Sequence, residues 1–221
     1  EAVYPDINIY IHSYATFLAL GIMGISHETT ILGRIYNAEG TRLTLKNVCI
    51  PYVVSVGWLC INGKLGFKPS QSGESPLQAN WGGHIRFLEG AELFLNPGKY
   101  QAVIDSTNGH ILIHGPTKFH TLGAVTTEYG FVRARGSASM WIAASVDFSG
   151  CSTITGRKYN IVQQACLISG GAVLPGSLPG VTHPHEIAEV LMLLTNVWTG
   201  MFPGSREEFA AKLRFCGEFL D

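Results

Sequence analysis

Five carboxylates in the middle of the chain could supply acid–base chemistry. They are Glu89, Glu92, Asp105, Glu128 and Asp147. Two carboxyl groups can cleave a glycosidic bond when they lie about 5 to 10 Å apart. Asp105 and Glu128 each stand shortly before a glycine of a recurring sequence pattern, so they could fall on adjacent turns of the chain. They form our first candidate catalytic pair, with Asp147 and Glu92 next. The alternative interpretation is that all five are turn and surface carboxylates.

Three ring-bearing side chains could bind a ligand. Trp81 stands beside Gly82-Gly83 in a polar segment rich in Pro, Gly and Ser, residues 68–83. Looped-out segments of this kind often carry binding sites. His84 and His110 each follow a glycine of the recurring pattern, so we expect their rings to stack. The alternatives are a tryptophan packed under its own loop and a solvent-facing ladder of side chains.

Other kinds of site have little support in the sequence. A metal pair at the two histidines lacks a third ligand at a fixed spacing, so we predict no metal and no cofactor. The chain has no nucleophile elbow, phosphate-binding loop, zinc-protease motif or dinucleotide fingerprint. Five cysteines without a C-x-x-C pair favour small buried side chains in a chain made in reducing cytosol.

The overall charge and hydropathy narrow the range of partners. The net charge is −1, with no basic cluster, so we predict no binding to nucleic acid. The apolar run of residues 17–25 is too short to span a bilayer, and we predict no membrane insertion. Only 14% of the residues are charged and 26 are glycine, which favours a body rich in strands and turns.

A short pattern recurs between residues 62 and 147 and sets the fold. Its copies are residues 62–67, 83–87, 109–113 and 130–134, with leading glycines 20, 26 and 21 residues apart. Each copy is a turn followed by apolar–polar alternation, which predicts a strand with one buried face. The regular return predicts the stacked coils of a solenoid, with Ile85, Ile111 and Val132 in one inner stack. A flat antiparallel meander is the alternative.

The two ends of the chain have different patterns. Residues 7–11, 31–35 and 41–45 alternate and are predicted strands at the start of the solenoid. From His183 onward the apolar period becomes helical, and two apolar stripes joined by a short turn predict a pair of antiparallel helices. This hairpin would either cover the last coil or form a subunit contact.

The order of motifs in residues 83–180 resembles that of phage tail fibres and tailspikes. A glycine-bounded strand ladder is followed by T-G-x-x-Y at residues 155–159, Gly170-Gly171 after Ile168, and L-P-G-S-x-x-G at residues 174–180. The resemblance implies a right-handed parallel β-helix in a virion component. It further implies synthesis in the bacterial cytoplasm, assembly as a homotrimer with other virion proteins, and attachment to a bacterial surface through its glycans.

The predicted fold is therefore mainly β: a right-handed parallel β-helix with a C-terminal α-helical hairpin. Its predicted parts are opening or capping strands in residues 1–48, the β-helix body in residues 49–182 and the hairpin in residues 183–221. Three functions remain open: a glycan-binding attachment protein, a polysaccharide lyase or glycosidase that uses a carboxylate pair, and a structural spacer without a ligand.

Overall fold

The computed structural model describes residues 34–69 and 73–182 and, before residue 34, four strand segments. These residues form strands and no helix. The strands are β1 (Val3–Tyr4), β2 (Ile9–Ile11), β3 (Leu18–Met23), β4 (Thr30–Ile31), β5 (Ile35–Asn37), β6 (Thr41–Ile50), β7 (Val53–Ser55), β8 (Trp58–Phe67), β9 (Leu77–Asn80), β10 (His84–Phe87), β11 (Glu92–Leu95), β12 (Gly98–Thr107), β13 (His110–Ile113), β14 (Lys118–Thr121), β15 (Val125–Arg135), β16 (Ser139–Ile142), β17 (Asp147–Gly150), β18 (Ile154–Thr155), β19 (Tyr159–Ile161), β20 (Cys166–Ile168) and β21 (Val181–Thr182).

The strands stack in parallel into a β-solenoid of about 4 turns, which confirms the predicted β-helix. Three ladders of strands run along it. Ladder one contains the first halves of β6 and β8, then β10, β13, β16 and β20. Ladder two contains the second halves of β6 and β8, then β11, β14 and β17. Ladder three contains β5, β7, β9, β12, β15 and β19.

The true repeat is longer than the predicted one. Trp58, His84, His110 and Ser139 are successive register partners in ladder one, so these coils are 26, 26 and 29 residues long. Ile85 lies beside Ile111, as predicted. The prediction for Val132 is wrong, because this residue lies in ladder three beside Ile104. Each coil carries three strands with the same apolar alternation, so copies from different sides of the coil look alike in the sequence.

Inward side chains from all three ladders meet in one core. Phe87 of ladder one lies 6.1 Å from Phe119 of ladder two, measured between ring centroids. Phe119 in turn lies 5.7 Å from Phe131 of ladder three and 5.0 Å from Phe148. Burial of each large apolar side chain contributes roughly 1.5–3 kcal/mol. These rings therefore hold the three sides of the coil together and keep the outer faces rigid.

The glycines before β10 and β13 allow the coils to approach closely. A Cβ atom on Gly109 would come within 2.5 Å of the carbonyl oxygen of Ala79, and one on Gly83 would collide with the carbonyl oxygen of Ser55. No side chain fits at either position without backbone movement. The close contact fixes where His84 and His110 begin their strands.

The remaining sequence predictions have mixed outcomes. The predicted strands 7–11 and 41–45 overlap β2 and β6, whereas 31–35 is divided between β4 and β5. The predicted loop of residues 68–83 contains strand β9, and residues 70–72 lie outside the described residues. Cys49, Cys60 and Cys151 are buried thiols, but Cys166 is exposed. The chain divides into two compact units, Glu1–Val181 and Thr182–Asp221, and the predicted helical hairpin lies outside the described residues.

Candidate functional site

A groove of about 380 Å³ lies on the outer face of ladder one. Side chains alternate between the two faces of a strand, so outward residues two positions apart form two parallel columns. The first column runs along Trp58, His84, His110, Ser139 and Cys166. The second column runs along Arg86, Leu112, Trp141 and Ile168. All nine side chains line the groove.

The first column is a continuous stack of rings. The Trp58 and His84 rings lie 4.3 Å apart and are inclined by 6°. The His84 and His110 rings lie 4.7 Å apart and are inclined by 26°, which confirms the predicted histidine stack. Beyond them, Nδ1 of His110 lies 2.6 Å from the Ser139 hydroxyl oxygen. The stack follows from the parallel register, because strands about 4.8 Å apart bring equivalent side chains to ring-stacking distance.

The histidine stack has a defined charge. Burial lowers the pKa of His84 below its ordinary value of 6.5, and the neighbouring His110 lowers it further. His84 is therefore neutral at pH 7. A neutral imidazole offers one N–H donor and one acceptor, which suits hydrogen bonding to hydroxyl groups.

Buried polar contacts hold the start of the first column in place. Asn37 is fully buried, and its Nδ2 donates to the carbonyl oxygen of Trp58 at 3.0 Å and to the Ser55 hydroxyl at 3.1 Å. Its Oδ1 accepts a hydrogen bond from the hydroxyl of Thr41. These bonds fix the backbone of Trp58, whose side chain remains 43% exposed to solvent.

The second column combines one charge with apolar groups. Arg86 is exposed and makes no ion pair or hydrogen bond with any of the described residues. Leu112 lies between Arg86 and Trp141 in the register. Trp141 is 37% exposed and makes an edge-on ring contact with His114 at 5.6 Å. The groove therefore offers ring surface on both sides and one free guanidinium.

Trp81, the third predicted ligand-binding residue, lies outside the groove. It sits in the turn between β9 and β10, where its φ is +47°. Its backbone N–H donates to the carbonyl oxygen of Thr107 at 2.9 Å, but its side chain is 68% exposed. The alternative of a tryptophan packed under its own loop is therefore wrong. Ligand binding by Trp81 stays a prediction.

Asp105, the first predicted catalytic residue, is buried in an ion-pair cluster on ladder three. Its Oδ2 lies 3.4 Å from Arg135 and 3.8 Å from Arg133, and it accepts a hydrogen bond from the fully buried Ser75 hydroxyl at 3.4 Å. Burial raises the pKa of Asp105, and the two guanidinium groups oppose that rise. The Arg133 guanidinium also lies 3.9 Å from the centre of the Tyr129 ring.

The structure does not pair Asp105 with Glu128. The register partner of Asp105 is Arg133, five positions after Glu128. Glu128 lies in a bulge of β15, between the register pairs Tyr100–Thr127 and Ala102–Gly130, and forms an exposed ion pair with Lys99 at 3.7 Å. The catalytic role of the two carboxylates stays a prediction.

The second predicted pair lies on the outer face of ladder two. Glu92, Lys118 and Asp147 are successive register partners, so the two carboxylates are separated by one coil that carries a lysine. Glu92 also lies 3.7 Å from Lys64 and 3.9 Å from His120. Hydrogen bonds from Ser149 lower the pKa of Asp147. A general acid needs a raised pKa, so this arrangement fits a ladder of alternating charges better than an acid–base pair.

Three groove residues escaped the sequence analysis: Trp58, Arg86 and Trp141. A signal for Trp58 was present, because it precedes His84 by 26 residues, the same spacing that separates His84 from His110. Arg86 and Trp141 each follow a first-column residue by two positions. With the 26-residue repeat in hand, alternation alone would have placed all three on one face.

Two further kinds of site are absent from the described residues. No helix in this part of the chain has the length and apolarity that a membrane crossing requires. Nor do its His, Cys, Asp and Glu side chains gather in groups of three or more that could hold a metal ion. In comparisons with protein-family models, with curated proteins and with solved structures, nothing matches this chain.

Proposed function

We propose that the groove on ladder one binds glycans and that the protein attaches a virion to a bacterial surface. The observation that supports this most is the ring stack of Trp58, His84 and His110 with Trp141 across the groove. Aromatic side chains combine a large apolar surface with a polar edge. Sugars have the complementary character, since each ring has apolar C–H faces and a rim of hydroxyl groups.

The position of the groove suits a polymer. Its first column spans four successive strands from Trp58 to Ser139, which is about 14 Å along the axis at the usual strand spacing. Groups on a rigid sheet hold their geometry without an ordering cost on binding. An extended sugar chain lying along the axis could contact rings from several coils, with hydrogen bonds to the histidines and Ser139.

The place of the protein in a virion is part of the same proposal. The β-helix, together with the motifs of residues 83–180, supports a tail fibre or tailspike subunit made in the bacterial cytoplasm. We propose that it forms a homotrimer with other virion proteins around it. The size of the trimer is open to direct test by light scattering.

Binding of the full chain to immobilised capsular polysaccharides and lipopolysaccharides tests the proposal. Trp141→Ala should weaken binding at least tenfold, since truncation of a central tryptophan commonly costs about 2 kcal/mol or more. Trp81→Ala is the matched control, because it removes an exposed tryptophan outside the groove. Equal binding by wild type and Trp141→Ala, with loss in Trp81→Ala, would move the site to the turn before β10.

The same experiment separates the two other functions. Release of reducing ends or unsaturated sugars that disappears in Asp105→Asn and in Glu128→Gln would assign the protein to the polysaccharide-cleaving enzymes. Absence of binding across the whole panel would contradict the proposal and favour a spacer.

A further inference from the structure

The groove on ladder one has an uneven charge. Arg86 is the one residue in its lining with a permanent charge, and none of the lining residues is Asp or Glu. The carboxylates Glu92 and Asp147 lie in ladder two, and Asp105 lies in ladder three. An exposed guanidinium without an acidic partner gives the groove a positive potential.

The surroundings of Arg86 favour a planar anionic group. Guanidinium binds carboxylates and other oxyanions through two parallel N–H bonds, which adds direction as well as strength. On one side along the ladder Arg86 has the buried Cys60, and on the other it has Leu112 followed by Trp141. Across the groove, His84 carries no charge at pH 7. A negative group bound here would meet no repulsion from the lining.

We infer that the ligand of this groove is an anionic polysaccharide, whose acidic group pairs with Arg86 while the sugar rings lie against Trp141 and the ring stack. The inference rests on the proposed glycan-binding function and adds the class of glycan. Arg86 sets the preference for acidic over neutral chains, and the rings supply affinity that both kinds of chain share.

The test compares polymers that differ in charge. Full-length protein is titrated by calorimetry with polygalacturonate, hyaluronan, alginate and dextran sulfate, with the carboxyl-reduced forms of the first three, and with neutral dextran. We expect at least one acidic polymer to bind at least tenfold more tightly than its neutral counterpart. The carboxylate and sulfate polymers together show which acidic group the groove prefers.

Variants then locate the preference. Arg86→Gln should abolish the preference for the acidic polymer and leave binding to its neutral counterpart within twofold. Arg157→Gln, which removes an exposed arginine outside the groove, should retain the preference. Trp141→Ala should weaken both kinds of polymer. Raising the salt from 50 to 500 mM should reduce the preference in wild type but not in Arg86→Gln, because screening acts on the charge pair.

The outcomes distinguish this inference from the proposed function. Binding of acidic and neutral polymers with equal affinity through Trp141, unchanged in Arg86→Gln, would overturn the anionic preference and leave glycan binding standing. A preference lost equally in Arg157→Gln would reflect general surface charge and would also overturn it. Failure of every polymer to bind would overturn the proposed function and this inference together.

Discussion

Truncation of two neighbouring residues, Ile111 and Leu112, tests the fold at the level of single side chains. They are consecutive in β13, and alternation points Ile111 into the core and Leu112 toward the groove. Ile111 is 3% exposed and lies in register between Ile85 and Met140, which are 1% and 2% exposed. Ile111→Ala therefore leaves a cavity enclosed by adjacent coils, whereas Leu112→Ala removes a half-buried group at the surface.

The expected costs differ by several-fold. A buried isoleucine truncated to alanine costs about 2–5 kcal/mol, and a surface change away from special features costs about 0.5 kcal/mol, somewhat more for a half-buried side chain. A domain of ordinary stability has about 5–15 kcal/mol in total, so the Ile111→Ala loss should be a large fraction of it. Equilibrium urea unfolding, followed by circular dichroism, measures both free energies.

Two results would refute this reasoning. One is a Leu112→Ala variant that loses as much stability as Ile111→Ala, which would place both side chains in the same environment. The other is an Ile111→Asp variant that remains soluble and melts cooperatively, because a core position cannot accept an unpaired charge without a cost of several kcal/mol.

Three more predictions concern buried charge, ring stacking and close approach of the coils. Asp105→Ala should cost roughly 3–5 kcal/mol in urea unfolding, because it leaves the largely buried Arg133 without its partner; a loss below about 1 kcal/mol would contradict the cluster. Because burial raises the pKa of Asp105, its contribution to stability should be lost as pH rises above about 3.8, and Asp105→Asn should remove that dependence. In an NMR titration His84 should have a pKa below 6.5 that moves upward in His110→Ala, and its contribution to stability should be lost as pH falls through that lowered value; a pKa above 6.5 would contradict the stack. Gly83→Ala should cost at least about 1–3 kcal/mol, since its Cβ would collide with backbone, and an unchanged melting temperature would show that the coils can separate there.

Local alternation made part of this fold predictable. The β10 and β13 strands have the same pattern at the same place in the coil, so the pairing of Ile85 with Ile111 and the stacking of His84 on His110 follow from the sequence. The prediction failed where the coil turns from one side to the next. Val132 has the same alternation as Ile111 but lies in another ladder.

The composition of the groove was harder to predict for a physical reason. Its residues come from strands of several different coils, and they meet only when the coil length is known to be 26 to 29 residues. That length depends on three turns per coil, and turns carry weaker sequence signals than strands. Asp105 was singled out as a carboxylate, but its two arginine partners come from β15 and its hydroxyl partner, Ser75, from the segment before β9.

The indole N–H resonances of the protein give the most direct test of the groove as the binding site. The chain has four tryptophans, and Trp58 and Trp141 line the groove while Trp81 lies outside it. Substitution of each by phenylalanine assigns its resonance, and the wild-type protein is then titrated with the polymer that binds most tightly in calorimetry. We predict that the Trp58 and Trp141 resonances shift saturably, with the dissociation constant found by calorimetry, while that of Trp81 stays in place. Saturable binding that leaves both Trp58 and Trp141 unshifted would contradict the account.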